Sequence, residues 1–513
     1  MVYRGLKIAS FISVLCASAS AVGNSPASVW ISSEYQPNAA QWFTDPWSDE
    51  EIPYQLSEQP ALEWQKGASQ EPDYAVTVDA AQTYQTVLGV GSSLEHATVY
   101  NIRKNKTPQE QYEVLRALIH PTDGIGMNLF RITIGTSDFS NGTMASPKPA
   151  PADGWYSFQD TPQSKVSLER HESLGIIDTL KMAIKVGEDS NNPVRFVASP
   201  WSPPAWMREG NSMVRGGAIK ESALDAWADY MRKTVEAYQQ AGIPIYALTL
   251  QNERAFEPEA YPGMKISEAL ERRMLEKLYE NFHNIGGKFG EEISIKLWTL
   301  DHNFVYADEA IAQIDALKKA GKSNYLDGVA FHHYDGDSSA MAKVHHAHPD
   351  KDVIFTEGSV WGIGGDNPNR GLQSVIRHFQ HWSTAYIGWV TMLNQDVELA
   401  NNSPYDALGK VGPTLLIQEK GTSKQWYRTP EYYLIGQLSR FIKRGAVRIG
   451  SQADALDGVY QVAFKNPDKS IVVILSNANN APVSAGVNAN GQSVTTDIPA
   501  NSLITLRWQP DAM

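Results

Sequence analysis

Two glutamates stand where a side chain can react. Glu253 closes the stretch Ala247-Leu-Thr-Leu-Gln-Asn-Glu253, and Glu357 closes Val353-Ile-Phe-Thr-Glu357. Each follows a mostly apolar, β-favouring run, which reads as a buried parallel strand delivering a carboxyl group at its C-terminal end. Two carboxyls on the mouths of two barrel strands can cleave a glycosidic bond with retention of configuration. One protonates the leaving oxygen and then serves as base toward water; the other attacks the sugar and forms a glycosyl ester. In that scheme Glu253 is the acid/base and Glu357 the nucleophile, roughly 5 Å away. Asn252, next to Glu253, can hold the sugar 2-OH, a contact that strengthens in the transition state. A lone strand-end glutamate also serves as a helix cap or ion-pair partner. The pair, together with Asn252, favours the catalytic reading.

Groups so far apart in sequence need a scaffold that gathers strand ends. From Thr86 to about Phe441 the chain shows roughly eight strand-then-helix units, the pattern of a (β/α)8 barrel. The strands are expected to end at Ser92, Thr136, Pro200, Glu253, Asp301, Tyr334, Glu357 and Asn394. Thr107-Pro-Gln-Glu110 marks a helix start, with Thr107 as N-cap and Pro108 at the first helical position. Leu224 to Gln240 and Glu268 to Ile285 carry helical apolar spacing. From Gly450 the pattern changes to short alternating runs, Gly458 to Phe464, Ser470 to Leu475 and Ser502 to Trp508, with Asn/Gly/Pro turns between them. This reads as an antiparallel β-sandwich that recruits the strand near Tyr74. The expected division is a leader at 1–21, an N-terminal segment at 22–85 with strands joining the sandwich, an α/β barrel at 86–445 and the C-terminal sandwich at 446–513.

The 513 residues carry a formal charge of -13, which argues against nucleic acid and anionic membrane surfaces as main partners. Aromatics are abundant (14 Trp, 22 Tyr, 15 Phe) and many fall near strand ends, as a sugar-binding cleft requires, although ordinary packing accounts for most of them. Arg4 and Lys7, the apolar run Ile8 to Cys16 and Ala19-Ser20-Ala21 together resemble a signal peptide, so a secreted or periplasmic location is expected. No other run is long and uncharged enough to span a membrane. The one cysteine, Cys16, lies in that leader, which removes disulfides, cysteine nucleophiles and thiolate metal sites from the mature chain. No cofactor is expected. A metal site is the competing use of His332, His333, Asp335 and Asp337 and of His345, His346 and His348, but the second group reads as a solvated helix–loop, so no metal is assigned.

The chain resembles glycoside hydrolase family 30, which includes glucosylceramidases and β-1,6-glucanases. Six ordered motifs carry the resemblance: Gly124 to Arg131, Gly135-Thr-Ser-Asp-Phe-Ser140, Ala198-Ser-Pro-Trp-Ser-Pro-Pro-Ala-Trp206, Leu248 to Glu253, Ala330-Phe-His-His-Tyr334 and Phe355-Thr-Glu-Gly-Ser359. The resemblance implies a retaining β-glycosidase with Glu253 as acid/base and Glu357 as nucleophile. It places Asp138 and Trp201 on the glycone and Arg131 beside the nucleophile, where a cation keeps Glu357 ionised. Arg131 also reads as a plain buried ion pair. His332 and Tyr334 match residues on the floor of the site, Tyr334 as a hydrogen-bond partner of the nucleophile, and Trp389 is placed to stack on a sugar face.

Two stretches depart from the family pattern. Trp389-Val-Thr-Met-Leu-Asn394 lacks a second aromatic after Trp389, and Gly89-Val-Gly-Ser-Ser-Leu-Glu95 replaces a Gly-Gly-Ala-Phe-Thr-like sequence. Both lie around sugar subsites, so they bear on the substrate more than on the reaction. The expected partner is a carbohydrate or glycolipid. Glucose is the favoured glycone, with xylose, galactose, fucose and a non-catalytic sugar binder as alternatives. The aglycone stays open between ceramide and a β-1,6-glucan, to be decided by the loops after Trp201, Glu253 and Trp361. Asn141-Gly-Thr143 is a glycan acceptor only in a eukaryotic secretory pathway.

Overall fold

The computed structural model describes residues 24–34, 52–66, 71–140, 155–360, 371–398 and 411–510. The leader at 1–21, the acceptor Asn141-Gly-Thr143 and Trp361 lie outside the described residues. Among the described residues no helix is long and apolar enough to cross a membrane.

Eight parallel strands close into a barrel. They are β1 (Gly89–Ser93), β2 (Leu129–Ile134), β3 (Arg195–Pro200), β4 (Ile245–Thr249), β5 (Lys296–Asn303), β6 (Gly328–His332), β7 (Asp352–Glu357) and β8 (Ala385–Ile387). Closure comes from β8 lying beside β1, Ala385 opposite Gly89. The strands are covered on both faces, so they read as apolar runs rather than alternations; every residue of β2 is buried. Leu129, Val197, Ala247, Trp298, Ala330, Ile354 and Ala385 fill one layer of the interior. Gly91 is required by packing: a Cβ there would meet the Leu129 carbonyl oxygen at 1.6 Å. The expected helix start is present, with Thr107 Oγ1 accepting from the Glu110 amide and the Glu110 carboxylate accepting from the Thr107 amide, a box that stabilises the helix Pro108–Ile119 by about 1 kcal/mol.

Several strand ends differ from the sequence reading. β2 stops at Ile134 instead of Thr136, β4 at Thr249, four residues short of Glu253, and β6 at His332 instead of Tyr334. β5 runs past Asp301 to Asn303 and changes register between Leu300 and His302. The largest correction is the eighth strand. Met392–Asn394 is not part of the barrel; it pairs with Leu416–Gln418 in a separate three-stranded sheet that also holds Trp426–Arg428. Two short β-favouring runs lie on either side of Gly388-Trp389-Val390, and apolar character alone does not say which sheet receives each.

The remaining strands form one nine-stranded sheet built from both ends of the chain. The N-terminal part contributes Tyr74–Thr86, as expected, and also Ala27–Ser33 and Ser57–Leu62. Ala27–Ser33 pairs with Ser502–Trp508, which fixes its register far along the sequence. Ile471–Asn477 is buried along its whole length because its two faces meet different cores. Ile471, Val473 and Leu475 join the sandwich core, while Val472 and Ile474 pack toward the barrel. The helix Pro430–Ser439 is buried throughout at that junction; Ser32 and Thr505 hydroxyls donate to its Tyr433 and Gln437 carbonyls at 3.1 and 3.0 Å.

Candidate active site

Glu357 is the last residue of β7 and sits opposite His332 of β6. Its Oε2 accepts from Arg131 Nη1 and its Oε1 from the Tyr334 hydroxyl at 2.9 Å. Arg131 comes from β2 and is fully buried. It donates also to Asn252 Oδ1 at 2.7 Å, Asp301 Oδ2 at 2.8 Å and Ser199 Oγ at 3.1 Å. Burial opposes a charged guanidinium, but Asp301 and Glu357 outweigh it and raise its pKa. The Arg131 contact fixes the orientation of the Asn252 amide.

Glu253 lies beyond the end of β4 with φ +51, left-handed for a residue with a side chain. Its amide donates to the Asp301 carbonyl at 2.9 Å. Its Oε1 has His332 Nδ1 at 3.3 Å and His302 Nδ1 at 3.6 Å. Burial and the charge of Glu357 raise the Glu253 pKa, while His332 and Arg131 pull the other way. The net shift is upward, the direction a general acid needs. The following residue, Arg254, is buried between Glu271 at 3.1 Å and Glu309, and Arg208 holds Glu257 at 2.6 Å.

Beneath both glutamates is Asp301, fully buried in β5. Its Oδ2 accepts from Arg131, from Ser199 Oγ at 2.9 Å and from Thr249 Oγ1 at 2.7 Å. Its Oδ1 accepts from Thr356 Oγ1 at 2.7 Å and His332 Nε2 at 3.0 Å. Burial alone would raise its pKa, but Arg131 and His332 hold the carboxyl below its usual range. For His332, burial favours the neutral ring, yet Glu357, Asp301 and Glu253 push its pKa up to about 9.

Over this floor stand the aromatics. Trp201 follows β3 and Trp389 follows β8; their rings stack at 5.2 Å with 24° between planes. The Arg131 guanidinium lies 4.8 and 5.4 Å from the two ring centres. Phe139 meets Trp389 edge-on at 5.8 Å. Asp138, beside Phe139, has its pKa driven well up by burial and by the charges of Glu357 and Glu253. The nine residues singled out from sequence therefore surround one point at the C-terminal mouth of the barrel.

Other residues at this point were not assigned a role from sequence. Asp301 had been placed at a strand end without one, although the rule that selected Glu357 points to it equally. His302 follows from the same strand. Tyr261 packs against the apolar cluster that includes Trp201 and Trp389, and burial, with Asp138, Glu253 and Glu357, raises its pKa; no local pattern marks it. The members of the two histidine clusters have separate neighbours in the fold. His333 packs against Phe355, Asp337 bonds Arg377 at 2.8 Å, and His345 stacks on Trp382 at 3.6 Å. His348, read as part of a solvated face, is buried. Among the described residues, the group close enough to share an ion is Glu253, His302 and His332. A cation there would compete with the proton on Glu253.

The comparisons with known proteins agree with this architecture. The Glycosyl hydrolase family 30 TIM-barrel domain matches residues 87–442 and the Glycosyl hydrolase family 30 beta sandwich domain residues 445–506. The chain is 26% identical to "Putative glucosylceramidase 2" of Caenorhabditis elegans over 433 residues, 80% of this chain and 78% of that one. It is 27% identical to "Endo-1,6-beta-D-glucanase" of Neurospora crassa over 442 residues, 82% and 85% of the two chains. A solved endo-beta1,6-glucanase superposes with a TM-score of 0.77 at 23% identity, over 94% of this chain and 100% of that one, which speaks to the fold. With its barrel and sandwich both matched, and its strand-end carboxyls gathered at the barrel mouth, the chain belongs to glycosyl hydrolase family 30 and is a glycoside hydrolase.

Proposed function

We propose that the protein is a retaining β-glucosidase working by double displacement, with Glu253 as acid/base and Glu357 as nucleophile. The observation that carries this reading is that Glu253 Oε1 and Glu357 Oε1 lie 3.3 and 3.8 Å from one nitrogen, His332 Nδ1. Sharing a neighbour holds them closer than most of the spacing of roughly 6.5–9.5 Å that an inverting enzyme needs for its water. Arg131 and Tyr334 aim Glu357 at the anomeric carbon, and burial with the charge of Glu357 raises the pKa of Glu253, the direction a proton donor needs. Asp138, Asn252, Trp201 and Trp389 bind the glycone, the carboxyl and amide by its hydroxyls and the indoles by its apolar face.

Glucose as glycone is supported by the motif around Asp138 and by relatives named as glucosylceramidases and β-1,6-glucanases. The basic and apolar leader supports export of the chain. Early products from an aryl β-glucoside, followed by NMR before mutarotation, test the mechanism. β-Glucose is expected; α-glucose as first product sinks the retaining assignment. Parallel digestion of glucosylceramide in detergent and linear β-1,6-glucan then separates the two aglycones. Release of glucose from the lipid alone marks a glucosylceramidase, and short oligosaccharides from the polymer mark an endo-glucanase.

A further inference from the structure

Asp301 carries more hydrogen bonds than either reacting glutamate, yet the two-glutamate scheme gives it no part. Its Oδ1 holds His332 Nε2 at 3.0 Å. The other nitrogen of that ring, Nδ1, faces Glu253 Oε1 at 3.3 Å and Glu357 Oε1 at 3.8 Å. Arg131 donates to Glu357 through Nη1 and turns Nη2 to Asn252 and Asp301. His332 is therefore the cation directed at both.

The charge moves during turnover. The double-displacement scheme starts with Glu357 as a carboxylate and a proton on Glu253. In the first step a Glu357 oxygen bonds the anomeric carbon, the glycosidic C–O bond breaks and the Glu253 proton leaves on the aglycone. Glu357 is now a neutral ester and Glu253 a carboxylate. In the second step water attacks the anomeric carbon and gives its proton to Glu253, and the ester bond electrons return to Glu357. A single negative charge thus alternates between two carboxyls that flank one N–H.

We propose that Asp301 is a positioning residue that holds His332 as a fixed imidazolium, whose Nδ1–H stabilises Glu357 before sugar transfer and Glu253 after it. The inference rests on the double-displacement reading. The groups facing His332 are Asp301 on one nitrogen, the two glutamates on the other, and the rings of His302 and Tyr334 at 6.3 and 6.1 Å. Arg131 reaches it only through Asp301 and Glu357. Removing the Asp301 charge leaves a buried ring with less reason to keep its second proton. The glycosyl-enzyme suffers most, because its ionised Glu253 then lacks a cation at hydrogen-bond range.

The test is Asp301→Asn with an aryl β-glucoside whose activated leaving group needs little acid assistance. Loss of one charged hydrogen bond predicts a fall in kcat of about 10- to 100-fold, with a smaller fall in kcat/KM. A burst of phenol should appear, and azide, which needs no general base, should restore turnover and yield a β-glycosyl azide. His332→Gln should behave alike, and the double variant should be within about 2-fold of the worse single. Equal falls in kcat and kcat/KM, with neither burst nor azide response, would overturn the proposal and leave Asp301 serving Arg131 alone. Multiplicative losses in the double variant would overturn it too. If Asp301→Asn does not fold, the burst and azide response of His332→Gln decide. Formation of α-glucose by the wild type would instead remove the double-displacement reading itself, a result separate from either variant.

Discussion

The two glutamates proposed to react are held by different kinds of structure. Glu357 ends β7, where the ladder to β6 shifts register between Phe355 and Glu357, and its carboxyl group is held by the side chains Arg131 and Tyr334. Glu253 stands off its strand in left-handed backbone, a conformation costing about 1–2 kcal/mol that surrounding contacts must offset. Those contacts belong to the loop: the Glu253 amide on Asp301, Arg254 between Glu271 and Glu309, and Arg208 on Glu257 and on the Gly263 carbonyl at 2.8 Å. The side chains that hold Glu357 thus stand on or just after barrel strands, whereas those that hold the turn of Glu253 stand on loops and outer helices. The two halves of the reaction should accordingly be separable by mutation.

The widest separation comes from the glutamates themselves. Glu357→Gln should lower kcat by more than about 10⁴-fold whatever the leaving group. Glu253→Gln should cost about 10²- to 10⁴-fold with a poor leaving group and far less with an activated one. Two aryl β-glucosides of different leaving-group acidity measure this, and equal losses for both would erase the distinction. Arg254→Met comes next. It leaves Glu271, only 1% exposed, without its cation, and removal of one partner of a buried pair costs about 3–5 kcal/mol in a urea melt. Displacement of Glu253 should lower kcat/KM for poor leaving groups by up to about 100-fold. Covalent trapping of Glu357 by a 2-fluoro-glucoside with an activated leaving group should persist; its loss would mean the loop also sets the nucleophile.

The same contrast explains what the sequence reveals. Glu357 was readable because an apolar run stops at it, and the barrel was readable because such runs recur between helical spacings. Glu253 was found through Gln-Asn-Glu, although the strand ends four residues earlier; the pattern locates the residue without its backbone conformation. The clamps of Arg254 and Arg208 left no local trace, since their partners lie on other helices and loops. The eighth strand was misplaced because Ala385–Ile387 has only three residues and an equally β-favouring run follows it. Ala27–Ser33 was hidden in a stretch rich in Ser, Gln and Pro, and its strand character comes from pairing with Ser502–Trp508. Distant hydrogen bonding, not local propensity, decides such elements.

His332 joins the two halves and offers a pH test. Its pKa is about 9 in the fold against 6.5 in a free chain. Its stabilisation is therefore complete below pH 6.5 and disappears as pH rises through about 9, a loss of about 3 kcal/mol. Asp301 works in the opposite sense: its pKa is lowered, so its contribution holds at neutral pH and is lost in acid, as pH falls through its folded value. Urea midpoints of wild type and His332→Gln should differ most near pH 6 and converge near pH 10. A gap that does not change with pH would mean the ring is not charged in the folded protein.

The smallest expected effect lies at the rim. Phe256, Val305 and Tyr334 are 44%, 48% and 38% exposed, and they follow β4, β5 and β6. Phe256 shares the turn of Glu253, its amide on the Glu253 carbonyl at 2.8 Å, while the Tyr334 amide bonds Asn303 Oδ1 at 3.0 Å and its hydroxyl bonds Glu357, so Phe256 is the rim residue on the acid's side of the mouth. An acid faces the leaving group, so an apolar rim beside it should touch the aglycone, whereas Trp389 on the opposite wall should touch the sugar common to all substrates. Phe256→Ala should raise KM by about 10-fold for a substrate with a large aglycone, the loss expected from one partly buried phenyl ring, and leave a small aryl glucoside unchanged. Trp389→Ala should penalise both. If Phe256→Ala penalised them equally, the rim would be ordinary surface, and the contrast between the two walls would reduce to the placement of the glutamates.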